Sequence, residues 1–178
     1  MRAPRIVVAG RRSSAGFTVV ELVVTILIVG ILMAVATARF VGKGGFESRG
    51  YFDEAITVVR LAQKTAIAQR RNVIVVITTD RIAVCYVAAC AAADRVVATS
   101  NLNRASSTAL ANCVNDTAWL CAGRPNSVVP LTSSAATVTF DGLGRPNTAA
   151  TITISGAEGG DIARQITIQA ETGYVSPS

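Results

Sequence analysis

The sequence predicts an α+β protein in which a long N-terminal helix, membrane-embedded over its first half, packs on antiparallel β-sheets. Three observations predict this fold. An apolar run of twenty residues carrying one charge occupies positions 17–36. Apolar residues then recur at helical spacing between positions 52 and 67. From position 72 onward, short β-branched and apolar runs alternate with turn residues.

The apolar run FTVVELVVTILIVGILMAVA is long enough to be a membrane-spanning helix. At ~1.5 Å per residue it would extend ~30 Å, the thickness of the hydrocarbon core of a bilayer. Before it stand four basic residues and no acid: Arg2, Arg5, Arg11 and Arg12. This asymmetry predicts a single pass through a membrane, with a cytoplasmic N-terminus and the C-terminal domain on the other side.

These features divide the chain into a leader (1–16), a transmembrane helix (17–37) and an extracytoplasmic globular domain (38–178). The residues after the helix are enough for one compact domain with its own core. An uncut signal anchor is one alternative. Ordinary secretion is another, because the small residues Ala34 and Ala36 could mark a signal-peptide cleavage site.

The excess positive charge lies mostly in the leader. The whole chain carries 17 Lys and Arg against 11 Asp and Glu. Since four of those Arg precede position 17, the remainder carries thirteen basic against eleven acidic residues, or +2. The high overall charge therefore gives little reason to expect nucleic-acid binding by the globular domain.

Four cysteines follow the apolar run: Cys85, Cys90, Cys113 and Cys121. Disulfides are expected in an exported domain, and four cysteines allow three pairings. We favour the local pairs, Cys85–Cys90 and Cys113–Cys121. Zinc is the rival ligand, but the spacings lack the close C-x2-C pairs of zinc ribbons and the chain contains no histidine. We therefore predict no metal, no cofactor and no catalytic residues, and a protein that is not an enzyme.

Glu21 lies inside the apolar run, where an acid is costly. Placing it in a bilayer costs about 2–3 kcal/mol, so a functional role is expected. If the chain is cut between Gly16 and Phe17, the new amine and Glu21 stand at positions i and i+4. They can then pair on one helix face or with neighbouring copies.

The string Gly16-Phe-Thr-Val-Val-Glu21 before an apolar helix resembles the type IV pilin and pseudopilin family. The resemblance implies that a prepilin peptidase cuts after Gly16 and N-methylates Phe17. It also implies that Glu21 guides assembly with other pilin subunits into a filament extracted from the inner membrane. The leader is longer than in many pilins, and Ala38 stands where many major pilins have proline.

A second helical pattern follows the anchor, with one apolar face: Phe52, Ala55, Ile56, Val59, Ala62, Ala66 and Ile67. The resemblance implies that both segments form one helical spine over 17–71, weakened at Gly42–Gly45. Acids lie toward the start of the second segment and basic residues toward its end, as the helix dipole favours. These basic residues are Arg60, Lys64, Arg70 and Arg71. We interpret them as a solvated face of the helix, and the alternative is that they form a stripe that contacts DNA.

Strands are predicted after the helix. We expect a hairpin over residues 72–79 and 81–88, and a strand that runs into a Gly-rich turn over residues 138–145. We also expect a further strand over residues 151–154 and a closing hairpin over residues 164–175. This order resembles the GspH/FimT branch of minor pilins and pseudopilins. Residues 89–136 are predicted to form a loop-rich insert with short strands, in which Trp119 has a packing role.

The resemblance implies a structural subunit of a type II secretion pseudopilus or a type IV pilus, at its tip or in its initiation complex. One alternative is a FimT-like minor pilin that binds DNA for uptake. The segment Glu171–Val175 lacks the arginines of the basic motif that some such proteins carry. A second alternative is a membrane-anchored domain that binds an envelope partner and never polymerises.

Overall fold

The computed structural model describes residues 17–40, 43–98, 106–157 and 161–178, with the side chains of 34–44 excepted. The leader and Gly16 therefore lie outside the described residues. The chain divides into two compact units, Met1–Val41 and Gly42–Ser178.

The first unit contains helix α1, Val19–Phe40. Thr18 precedes it, and the Thr18 carbonyl accepts the first helical hydrogen bond from the Leu22 amide at 3.1 Å. In α1 the described side chains end at Met33. Within the described ranges, none of the helices combines the length and the apolar character that a membrane crossing requires.

The second unit begins with helix α2, Lys43–Gln69. Two of the glycines predicted to weaken this region, Gly44 and Gly45, lie within α2, whereas Gly42 lies outside the described residues. Helix α2 ends at Gln69, and the next residue, Arg70, has a left-handed φ of 50°. The next amide, that of Arg71, donates back to the Ala66 carbonyl at 3.2 Å, a common way to satisfy the last helical carbonyls.

The first sheet contains strands β1 (Val73–Ile77), β2 (Arg81–Cys85), β3 (Cys121–Gly123) and β5 (Thr137–Phe140). Its order is β3-β2-β1-β5, and all neighbours are antiparallel. The predicted hairpin is thus confirmed, with Ile74 opposite Cys85. Alternate residues of β1 are fully or nearly buried, as expected for a strand with one face in the core.

The second sheet contains β4 (Thr132–Ser133), β6 (Ala150–Ile154), β7 (Arg164–Ile168) and β8 (Val175–Pro177). Its order is β4-β6-β7-β8, again antiparallel. The predicted closing hairpin is confirmed as β7–β8, although its second strand begins at Val175 and not at Gly173. An α+β fold with antiparallel sheets is therefore confirmed.

The apolar face of α2 lies in the core of the second unit together with residues from both sheets. Six of the seven residues predicted for this face are buried. Ile67 is the exception, because 46% of it is exposed in the last turn of α2. Ile67 has the helical spacing of this face, but spacing alone does not show that it lies outside the core.

The insert between residues 89 and 136 is more regular than predicted. It includes a 3-10 turn at Ala92–Asp94 and helix α3, Ser107–Asn112. The hydroxyl of Ser106 caps α3 by accepting from the Ala109 amide at 3.1 Å. Since β3 and β4 also come from this region, the insert supplies an edge strand to each sheet. The short strands were expected from the sequence, whereas helix α3 was not.

Candidate functional site

The surface of α1 is apolar over its described length. Every large apolar side chain from Val19 to Met33 is between 49% and 79% exposed. Because these residues are almost consecutive, they cover all faces of the helix and not one stripe. A stripe is typical of a helix that packs on one side, whereas a helix apolar all round is suited to burial among lipids or other helices.

Glu21 lies in the first turn of α1, where the helix dipole stabilises a negative charge. Its backbone amide donates to the Thr18 hydroxyl at 3.2 Å. Thr18 and Glu21 thus have the spacing and the first hydrogen bond of a capping box. Sequence reasoning missed Thr18, although the T-x-x-E pattern could have identified it.

Phe17 lies before the first residue of α1 and is 79% exposed. The amine that would pair with Glu21 is still joined to Gly16 in the uncut chain. The pairing of a freed Phe17 amine with Glu21, like the cleavage after Gly16, stays a prediction.

The four cysteines form two local disulfides, Cys85–Cys90 and Cys113–Cys121. Their Cα atoms are 5.4 and 6.1 Å apart, within the usual range for such bridges. These are the pairings that the sequence favours. Both bridges pack around Trp119 in a small apolar cluster separate from the main core.

Trp119 is 1% exposed, which confirms its packing role. Its indole Nε1 donates to the Val84 carbonyl at 2.9 Å. The guanidinium carbon of Arg95 lies 4.4 Å from the ring centroid, close enough for a cation–π contact. Arg95 also pairs with Asp116 at 2.9 Å, so the cluster is held by apolar, cation–π and ionic contacts together.

Two of the four basic residues considered for DNA binding have partners within the chain. The Arg60 guanidinium donates to the Val175 carbonyl at 3.0 and 3.3 Å. The Arg71 guanidinium lies 3.7 Å from the centroid of the Tyr86 ring. Within the part of the chain that the structure describes, Lys64 and Arg70 are the members of the stripe that show no such contact. The contacts of the other two favour the interpretation of a structural and solvated face.

An apolar groove of about 530 Å³ lies beside the first half of α2. We call it the Tyr51 groove. Gly50 and Tyr51 of α2, Ala109 of α3 and Gly123 of β3 line it, together with Pro125. Its remaining walls are the apolar side chain of Phe46 and four polar residues of α2: Glu47, Asp53, Glu54 and Thr57.

Close backbone packing forms one side of the Tyr51 groove. A Cβ atom at Gly123 would overlap the Ala109 carbonyl, so α3 can lie against β3 only where this residue is glycine. A Cβ atom at Gly50, in contrast, would meet nothing within 4 Å. Burial raises the pKa of the Tyr51 hydroxyl well above its ordinary value of 10.0, with Glu54 adding to the effect. Tyr51 is therefore a neutral, apolar wall of the groove.

Three carboxylates have pKa values below the ordinary value of 3.8, in each case mainly because a side chain donates a hydrogen bond to the charged form. The pairs are Asp80 with Arg124, Asp116 with Arg95, and Asp161 with Ser48. The last pair joins buried Ser48 of α2 to the segment before β7. These acids therefore have structural partners within the second unit.

We expect the second unit to lose stability as the pH falls below about 4, the ordinary pKa of an aspartate carboxyl. A carboxylate whose pKa is lower in the folded state stabilises that state above its unfolded pKa. The contribution is lost as the pH falls through the folded pKa. The measurement is the urea midpoint of the full chain in detergent at pH 7 and pH 3, followed by the fluorescence of Trp119. Asp161→Asn should reduce the pH dependence, because it removes the carboxylate that accepts from the Ser48 hydroxyl.

Two family models match the chain. A prokaryotic N-terminal methylation motif matches residues 11–37, which include Gly16, Phe17 and Glu21. The model described as type II transport protein GspH matches residues 53–173, which include most of α2, the first sheet and all of the second sheet except β8. The chain belongs to the GspH family. The family is one of structural pilins and pseudopilins, so the resemblance deduced from the sequence is confirmed.

The GspH-family chain also resembles solved structures of the type IV minor pilin FimU from Pseudomonas aeruginosa PAO1. In one crystal form the identity is 15%, the coverage 74% of this chain and 88% of FimU, and the TM-score 0.48. In a second form the identity is 15%, the coverage 73% and 91%, and the TM-score 0.46. No curated protein sequence matches the chain significantly.

The GspH-family chain contains no histidine. Across the described ranges, no group of three or more Cys, Asp or Glu residues is placed to hold a metal ion. The features that stand out are the apolar surface of α1 and the Tyr51 groove. Sequence reasoning found the first from hydropathy. It missed the second, because Tyr51, Ala109 and Gly123 are far apart in the chain.

Proposed function

We propose that this GspH-family protein is a minor pseudopilin or minor pilin. In this proposal it is a structural subunit that is cleaved and N-methylated by prepilin peptidase and then built into a type II secretion pseudopilus or a type IV pilus. Residues 1–16 are the leader, 17–37 the membrane and filament-core helix, and 38–178 the periplasmic domain. Before assembly the chain is held in the inner membrane with its N-terminus in the cytoplasm.

One observation carries this proposal: α1 exposes large apolar side chains on all its faces. Exposed apolar surface of this extent is unfavourable in water, so lipid or other helices must cover it. A membrane covers it before assembly, and helices of neighbouring subunits cover it in a filament. The methylation motif matches residues 11–37, and this match supports processing at the start of the same helix.

The role proposed for Glu21 follows from the same change of surroundings. Cleavage after Gly16 removes four arginines and leaves a positive amine on Phe17. In a low-dielectric helix bundle, the carboxylate of Glu21 on one subunit offsets that amine on another. The charge pair therefore sets the register of each added subunit along the filament.

Leader processing is the first test. We expect Gly16→Ala to lower the rate of leader cleavage by about tenfold or more, because the proposed peptidase site requires glycine before the cut bond. A tenfold change in rate corresponds to a barrier increase of only about 1.4 kcal/mol. Mass spectrometry of the full chain, recovered from cells that contain a prepilin peptidase, measures the outcome. Wild-type protein should begin at a methylated Phe17.

A matched control is Ala15→Gly, which changes a neighbouring small residue outside the cut bond. It should be processed like the wild type. Wild-type chains that retain Met1 in the presence of active peptidase would contradict the proposal. They would favour a membrane-anchored domain that does not polymerise.

A further inference from the structure

Two large apolar side chains stand out on the surface of the second unit. Among the residues described there, Phe46 at 79% and Ile162 at 76% are the most exposed of their kind. A single exposed apolar residue is common on a protein surface and requires no partner. Two such residues at one end of a domain, however, form a surface that is unfavourable in water and is better covered.

Phe46 and Ile162 do lie at the same end of the second unit. Phe46 is in the first turn of α2. Two residues later, the hydroxyl of buried Ser48 donates to the carboxylate of Asp161, which directly precedes Ile162. Arg164 pairs with the same carboxylate at 3.6 Å. These contacts hold the segment that contains Ile162 against the start of α2.

This end of the unit is joined through the chain to the proposed membrane helix. That helix ends at position 37, and Phe46 follows nine residues later. Nine residues span at most ~30 Å when extended and ~14 Å when helical, and α1 and α2 contain most of them. The headgroup layer reaches about 5–8 Å beyond the hydrocarbon core. Phe46 is therefore kept close to the headgroups while the helix is in a membrane.

The charge of the connecting segment suits an anionic lipid surface. Between positions 22 and 46 the chain contains two basic residues, Arg39 and Lys43, and no acid. The exposed pair that follows, Glu47 and Arg49, has no net charge. Basic residues beside a membrane helix are attracted to anionic headgroups. Connection and charge thus favour lipid as the partner that covers this end of the unit.

We propose that Phe46 and Ile162 dock the second unit onto the bilayer surface, with both side chains among the lipid headgroups and the adjoining acyl carbons. This inference rests on the proposed function, because it requires the helix over 17–37 to lie in a membrane. The tether gives the membrane surface a high effective concentration, so two apolar side chains suffice for a contact that a free domain would not maintain. The contact belongs to the membrane-held subunit and is lost when the subunit enters a filament.

Fluorescence quenching of the full chain in vesicles tests the proposal. The vesicles consist of phosphatidylethanolamine and phosphatidylglycerol, with a nitroxide on some acyl chains close to the headgroup. A fluorescent label is attached at Gly45→Cys, beside Phe46, where a Cβ atom meets nothing within 4 Å. The four native cysteines are all in disulfides and do not compete for the label. The nitroxide should lower the emission at least about threefold, because the label lies in the headgroup layer.

A label at Leu143→Cys is the control for position. Leu143 is 72% exposed, and its neighbour Gly142 packs against Arg70, just beyond the end of α2. About 36 Å of helix separates Gly45 from Gln69, the last residue of α2. This label should therefore keep almost all of its emission.

Two double variants of the chain labelled at position 45 separate docking from mere proximity to the membrane. Phe46→Ser with Ile162→Ser should lower the quenching about fivefold, because both apolar contacts with lipid are lost. Val97→Ser with Leu143→Ser removes two side chains that are 67% and 72% exposed elsewhere on the unit, and it should leave the quenching unchanged.

Equal quenching at positions 45 and 143 would overturn the proposal, and so would quenching at position 45 that survives Phe46→Ser with Ile162→Ser. A third contrary result is a label that iodide in the water reaches freely until other filament subunits are added, because a protein would then cover this surface. Flotation of the chain with vesicles in alkaline carbonate distinguishes the two proposals. If the chain floats but position 45 is not quenched, only the docking inference fails. If the chain does not float, the proposed membrane helix fails with it.

Discussion

Glu21→Ala should insert into the membrane and lose its leader normally, yet enter filaments at less than about one hundredth of the wild-type level. Removing one partner of a buried ion pair leaves an unpaired charge and costs about 3–5 kcal/mol. At ~1.4 kcal/mol per tenfold change, this corresponds to at least two orders of magnitude. The uncut chain in the membrane contains no free Phe17 amine, so insertion does not depend on that pair.

The measurement is the fraction of cellular protein that sediments with sheared filaments, beside mass spectrometry of the N-terminus. Two control variants separate a role of the Glu21 charge from a role of Glu21 in starting helix α1. Thr18→Ala removes the hydroxyl that accepts from the Glu21 amide at 3.2 Å, but keeps the carboxylate. Glu171→Ala removes an exposed acid from the second unit.

If Glu21 acts through its charge, Thr18→Ala should assemble almost normally, since a lost helix cap costs only about 1 kcal/mol. If Glu21 acts chiefly by starting α1, both variants should fail to the same degree. Normal incorporation of Glu21→Ala would remove the assembly role altogether.

Trp119→Ala should lower the free energy of unfolding of the second unit by about 3–5 kcal/mol. Replacing a fully buried aromatic residue by alanine removes its transfer free energy and leaves a cavity. The two disulfides around Trp119 hold the surrounding backbone, so the site cannot collapse to fill that cavity. The contact of Arg95 with the ring is lost as well.

Urea unfolding of the full chain in detergent, followed by circular dichroism, measures this change. Trp119→Phe is the matched control and should lose much less, about 1 kcal/mol beyond the difference in ring size. It removes the bond from Nε1, but the Val84 carbonyl keeps a second donor in the Val96 amide at 3.1 Å. A loss below about 1 kcal/mol for Trp119→Ala would contradict a stabilising role for this cluster.

The sequence was sufficient for those parts of the fold that local patterns determine. The β-branched run from Val73 and the apolar spacing of α2 are periodic, so both elements were predicted. Helix α3 was missed because six residues are too short for a clear period. The exposure of Ile67 was missed because it depends on where a sheet ends, which no local pattern records.

The same distinction applies to the candidate sites. Phe17 and Glu21 are read from consecutive residues, and the match of the methylation motif to residues 11–37 identifies the same segment. The Tyr51 groove brings together residues from α2, α3 and β3. Its existence depends on the close approach of Ala109 to Gly123, and such an approach becomes evident only once the chain is folded.

The hydrogen bond that the Arg60 guanidinium donates to the Val175 carbonyl joins residues 115 positions apart. Consequently, α2 is synthesised long before its partner strand β8. In the interval the face of α2 that is buried in the folded unit is uncovered and prone to aggregation. The second unit can therefore bury α2 fully only after synthesis has passed β8.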